Sequence, residues 1–217
     1  TYYPEHFMAA VLSTELGNTD KISTLINECN EMQIKVLTPD IKTSNKHFNV
    51  NASLHIKYGL GAIKGVADSF IDHVIDVRKN HSFKDLFDLT KKVNIRLGGK
   101  KSIEALTKAG AFDELAPSRS IALACMEDML REGQKSSSQM AGTSDLFASM
   151  EETFDPYEKY LNVKDLSKED LLNHERDALG YYFSGHPVIA IEGIVENLRS
   201  HTIGEVTDDI GRAKIVG

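Results

Sequence analysis

The sequence predicts a mainly α-helical fold. Apolar residues recur at three- and four-residue spacing along most of it, and Pro or small polar residues stand where those periodic segments begin, with glycines near their ends. Two stretches, 59–79 and 99–132, each read as helix, tight glycine turn, helix. The first is organised around Tyr58-Gly59-Leu60-Gly61-Ala62-Ile63-Lys64-Gly65-Val66-Ala67-Asp68. Glycines so placed let the backbone come close to a neighbour and then open a helix whose first N–H groups have no intrahelical partner, which is an arrangement that holds phosphate.

The elements follow in order. Pro4 at a helix start, with Phe7, Met8, Val11 and Leu12, predicts a helix that ends at Gly17. Asn18 or Thr19 can cap a second, in which Ile22, Leu25, Ile26, Cys29 and Met32 form one stripe. Periodicity fails from Ile34 to Asn51, an extended connection, and Leu54–Tyr58 reads as a short strand feeding the glycine run. Phe70, Ile71, Val74 and Ile75 continue a helix to about Lys79, and Phe83–Leu89 predicts a short one. Lys100–Lys108 ends at Gly110 as a left-handed stop, with Phe112 packing back. Pro117 starts a helix with Ile121, Cys125 and Met129 on its core face, ended by Gly133. The tract 134–144, rich in Ser, Gln and Gly, reads as a mobile linker, and Ser167–Phe183 as a helix broken by Ser184-Gly185-His186-Pro187. Val188–Leu198 reads as another helix, and Ala213–Gly217 as the first strand of a further part.

Composition sets outer bounds. With 217 residues, 41% apolar and 26% charged, the chain can bury one large core or two small ones. No run approaches the roughly 18 apolar residues of a membrane span. Thr1-Tyr2-Tyr3-Pro4 carries neither an initiator Met nor a basic-then-apolar leader, so an internal piece of a cytoplasmic protein is expected. Cys29 and Cys125 sit at helical spacing among apolar neighbours and are expected as reduced core residues. The net charge of −7 is unevenly placed: residues 55–135 hold 14 Lys and Arg against 11 Asp and Glu, leaving 11 against 21 elsewhere. That basic excess fits a solvated surface about as well as a DNA footprint.

The segments Tyr3-Pro4-Glu5-His6-Phe7-Met8-Ala9-Ala10, Val36-Leu37-Thr38-Pro39-Asp40-Ile41, Tyr58 to Val66, Ala109-Gly110-Ala111-Phe112-Asp113 and Leu179-Gly180-Tyr181-Tyr182-Phe183-Ser184-Gly185-His186-Pro187 occur in a fixed order. Together they resemble the C-terminal half of the alpha subunit of bacterial DNA polymerase III, the C-family replicative polymerases. The resemblance implies the end of a fingers subdomain over residues 1–54 and a tandem helix-hairpin-helix domain over 55–135. It further implies an acidic clamp-binding linker over 136–175, and a lead-in with the truncated start of an OB-fold over 176–217. In that family the catalytic aspartates and their Mg2+ belong to a palm subdomain N-terminal to this region, so these residues alone are expected to hold no cofactor and to be inactive as a polymerase.

By the same resemblance the hairpins would hold duplex phosphates without reading bases. The first is Gly65-Val66-Ala67 and the second Ala109-Gly110-Ala111, with Lys64, Lys100, Lys101, Lys108 and Arg119 as cations near the DNA backbone. Ala67 stands where the family has glycine, so a positive φ there would be strained, and Asp68 would sit beside the phosphate or cap the helix. The plain reading of the same residues is that both glycine turns only end helices and that the lysines are a solvated face. Thr143-Ser144-Asp145-Leu146-Phe147 matches the family's pentapeptide for the sliding clamp, whose Leu-Phe pair anchors in a hydrophobic groove, with Thr143 in place of the usual Gln.

No carboxylate pair or His-Cys set stands at catalytic or ligand spacing: His174-Glu175 lacks a second His, His186 is a turn residue, and Glu151, Glu152 and Asp155 read as a solvated linker. The expected function is therefore non-catalytic: gripping double-stranded DNA behind the polymerase site and tethering the enzyme to the clamp among the other replicase subunits, with no membrane partner. The competing class is a scaffold that packs the fingers against the C-terminal region and binds the clamp without touching DNA. A repair nuclease or ligase finds no motif here to support it.

Overall fold

The computed structural model of the chain describes residues 2–139 and 155–185. These form eight α-helices and one small three-stranded sheet, the mainly α architecture expected from the periodicity. Helix α1 (Pro4–Thr14) starts on its proline, and α2 (Thr19–Glu31) on Asn18, whose side chain accepts from the Lys21 N–H at 3.2 Å. Their inner faces bury Met8, Leu12, Ile22, Ile26 and Cys29.

The connection after α2 is less irregular than its composition suggests. It supplies β1 (Val36–Leu37) and β2 (Asn49–Val50), which flank β3 (Ile56–Lys57), parallel and antiparallel respectively. Ile56 faces both Val36 and Val50 in register and is fully buried. A 3-10 turn at Leu60–Ala62 leads to α3 (Asp68–Val77) and α4 (Leu86–Lys92). A second such turn at Ile95–Leu97 precedes α5 (Gly99–Lys108), and α6 (Arg119–Ala124), α7 (Met126–Gln139) and α8 (Lys168–Leu179) complete the order. One cluster of buried side chains runs from Met8 to Leu179. It crosses positions 54/55 and 175/176, where the sequence suggested boundaries, and the latter position lies inside α8.

Three expectations about helix ends are corrected. Gly133 does not stop a helix, because α7 continues through it to Gln139, so the tract from 134 begins as helix. A Cβ at Gly133 would lie 2.7 Å from the Thr90 carbonyl oxygen and 2.9 Å from Ile95 Cδ1. The glycine is there to let α7 lie against α4, and that contact outweighs its poor helix propensity. Helix α8 ends at left-handed Gly180 (φ 72°), not at Ser184. Helix α4 begins at Leu86 because Asp85 caps it, accepting from the Asp88 N–H at 2.7 Å. Met129 is core, as its spacing implied, and Met126 is buried with it. Cys29 and Cys125 are free and buried, and burial pushes both thiols up to about 11, away from the reactive thiolate.

Candidate nucleic-acid interface

The glycine run divides its labour. Gly59 and Gly61 approach the chain's own backbone rather than an anion: a Cβ on Gly59 would lie 2.8 Å from the Lys46 carbonyl oxygen, and the Gly61 N–H donates to that oxygen at 2.9 Å. Gly65 makes the turn, with φ 91°. Ala67 has φ −77° and ψ 132°, so the strain expected at this alanine is absent; the left-handed residue is Gly65, two positions earlier. The Lys64 N–H donates to Ala178 O at 2.9 Å, that of Val66 to Ile63 O at 3.4 Å and that of Ala67 to the buried Ser102 hydroxyl at 3.0 Å. The N–H groups of Gly65, Asp68 and Ser69 have no acceptor among the described residues, and the side chains of Lys64, Asp68 and Ser69 are exposed around them.

The second expected hairpin is built differently. Ala109, Gly110 and Ala111 are buried, and their N–H groups donate to Ala105, Thr107 and Leu106 carbonyls as the end of α5. Arg119 closes the space over Gly110: its guanidinium forks onto Asp113 (Nη2 to Oδ2, 2.8 Å) and reaches Glu175 Oε1 at 3.1 Å. The Arg119 side chain is 9% exposed and Glu175 is fully buried. Burial acts to lower the Arg119 pKa, but the Asp113 hydrogen bonds and the two carboxylate charges outweigh it and hold the guanidinium charged. Residues 109–111 and Arg119 are thus internally committed, which leaves no free amide at this turn for the phosphate grip expected there.

A turn of the required kind stands elsewhere. Between α4 and α5, Asn94 caps the short Ile95–Leu97 turn, and Gly99 (φ 61°, with open space on its Cβ side) opens α5. The N–H groups of Gly99, Lys100 and Lys101 have no acceptor among the described residues. This turn lies against the first: the Ser69 hydroxyl donates to Leu97 O at 3.4 Å, Gly98 sits on the Phe70 ring with no room for a Cβ, and the Lys101 side chain passes over Gly65. Sequence reasoning missed it; its signal is Gly98-Gly99 after an Asn and before Lys100-Lys101.

Of the expected cations, Lys64 and Lys101 are exposed beside these turns. Lys100 pairs with Glu127 at 2.9 Å and Lys108 with Glu104 at 2.7 Å. The Lys100–Glu127 pair is open to solvent and therefore weak, while the Lys108–Glu104 pair is half-buried. Lys46, which sequence reasoning did not single out, pairs with Asp68 at 3.1 Å and Asp72 at 3.0 Å. The clamp pentapeptide 143–147, His186 and the terminal strand at 213–217 lie outside the described residues. Among the described residues no group of three or more His, Cys, Asp or Glu could hold a metal ion, and no helix is long and apolar enough to cross a membrane.

Residues 33–122 match the helix-hairpin-helix motif family, a span that holds both turns at 65 and 99. The chain is also similar to DNA polymerase III subunit alpha of Haemophilus influenzae, at 40% identity over 87% of this chain and 16% of the relative. The same subunit of Pseudomonas fluorescens is 35% identical over 93% of the chain and 19% of the relative, and that of Escherichia coli K12 36% over 86% and 16%. The chain spans less than a fifth of the length of these curated relatives. Over that span, with a helix-hairpin-helix motif at its centre, it belongs to the DNA polymerase III alpha-subunit family.

Proposed function

We propose that this chain is a non-catalytic part of a bacterial replicase that grips double-stranded DNA through phosphates, without base specificity. The observation that carries the reading is the pairing of two left-handed glycine turns, at Gly65 and Gly99, that leave six backbone N–H groups unused, one on Gly65 and five at the starts of α3 and α5. Backbone donors at helix N-termini suit a phosphate oxygen and read no base edge. Lys64 and Lys101 supply charge, with Lys100 available by exchange. The test is fluorescence anisotropy of the whole chain with a primer–template duplex across salt concentrations. Three phosphate contacts predict an affinity that falls about 40-fold between 50 and 200 mM salt, alike for unrelated duplex sequences. Salt-insensitive or sequence-dependent binding would sink the proposal.

The linker motif supplies the second half of the reading. Leu146 and Phe147 anchor the chain to the sliding clamp, with Thr143, Ser144 and Asp145 ahead of them, and the polymerase gains processivity because a second attachment raises its local concentration at the primer end. Replacing both anchors with alanine is expected to abolish capture by immobilised clamp; undiminished capture would place the contact elsewhere. In this reading other replicase subunits are further partners of the chain, and the catalytic chemistry with its Mg2+ belongs to parts of the longer relatives outside this span.

A scaffold reading has its own observation. Helix α8 is sewn to the first turn by the Lys64 N–H to Ala178 O bond and by the Tyr58 hydroxyl donating to Leu179 O at 3.1 Å. Absence of duplex binding with intact clamp capture would favour it.

A further inference from the structure

The first turn carries carboxylates where an anion is to be held. Asp68 opens α3 and Asp72 follows one turn later, their side chains 73% and 59% exposed. Lys46 reaches both, yet is itself only 25% exposed, because its backbone is fixed under the glycine run. The Leu60 N–H donates to Asn45 O at 2.8 Å and the Gly61 N–H to Lys46 O at 2.9 Å. Lys46 is therefore a placed residue, and its ammonium is already committed to two carboxylates a few ångströms from the unused Asp68 and Ser69 N–H groups.

Resting on the duplex reading above, we propose that Asp68 and Asp72 are built-in competitors of the DNA phosphate at this turn. They hold Lys46 in the free protein and repel an incoming phosphodiester, which keeps the grip weak. On docking, Lys46 exchanges the carboxylates for the phosphate. A module that must follow moving duplex is served by such a contact, because each phosphate is released as easily as it is taken.

The test is duplex affinity of whole-chain variants at one salt concentration, with the salt slope as a second readout. Asp68→Asn/Asp72→Asn is expected to bind about tenfold tighter, with a slope steeper by about one counterion. Lys46→Gln is expected to weaken binding more in that Asn background than in the wild-type chain, since there the ammonium meets phosphate without first giving up two carboxylates. Asp76→Asn makes one such charge change further along α3, where Asp76 pairs with Lys79, and is expected to change affinity less than twofold. Equal tightening by Asp76→Asn and Asp68→Asn, or the same Lys46→Gln effect in both backgrounds, would reduce the matter to bulk charge and overturn the inference. Binding by the wild-type chain with no gain in the Asn variant overturns the inference alone. No duplex binding by any of the chains overturns the function proposed above, and the inference with it.

Discussion

Glu175→Ala is expected to lower the unfolding free energy by about 3–5 kcal/mol, the usual cost of stranding one member of a buried ion pair. Glu175 is fully buried, and its carboxylate accepts from four donors: Arg119 Nη1 at 3.1 Å, the Phe183 N–H at 2.7 Å, the Ser184 N–H at 2.8 Å and the Ser184 hydroxyl. Removing it leaves Arg119 with Asp113 alone and strips two backbone donors of their acceptor. For a chain of this size the melting temperature followed by circular dichroism should fall by roughly 10 °C. Arg119→Ala leaves the carboxylate with its three other donors and should cost less, and the double variant should cost less than the sum, because the two side chains share one network. A loss below 1 kcal/mol for Glu175→Ala would show that the segment 181–185 is not anchored through this carboxylate.

Phe70→Ala is the second large effect, about 3–5 kcal/mol for a fully buried aromatic in a close-packed site. Its consequence reaches beyond stability. The Phe70 ring lies against Gly98, whose absent Cβ would meet Cγ at 2.7 Å, so the ring sets the spacing between the start of α3 and the turn before α5. Phe70→Leu keeps most of the volume and should cost less than about 1.5 kcal/mol, which leaves a folded chain for binding measurements. Duplex affinity of Phe70→Leu should then fall about threefold, with clamp capture unchanged. Unaltered duplex binding would mean that the two turns act independently of this contact.

The proposed duplex grip is compatible with an acidic chain. The local array of backbone donors and two exposed lysines matters more than the net charge of −7, because screening at physiological salt limits distant carboxylates to a Debye length of about 8 Å. The exception is the carboxylate pair at the turn itself, which is close enough to compete.

Much of this molecule was legible in its sequence. Helix periodicity located nearly every described helix, Pro4, Asn18 and Ser167 marked true starts, and Gly65 and Gly110 are left-handed as a turn and a stop demand. These are local properties, fixed by φ, by caps and by which face is apolar. What only the tertiary structure decided is which glycine turn stays open. Gly110 is closed by Arg119, whose partner Glu175 is 56 residues away, and Gly133 is a contact with Thr90 rather than a stop. Gly99 gains its meaning from lying beside Gly65 through Phe70, Ser69 and Lys101. A glycine's φ is written in its neighbours along the chain, but whether its amides face solvent or another part of the protein depends on packing between residues distant in sequence, and no periodicity encodes that.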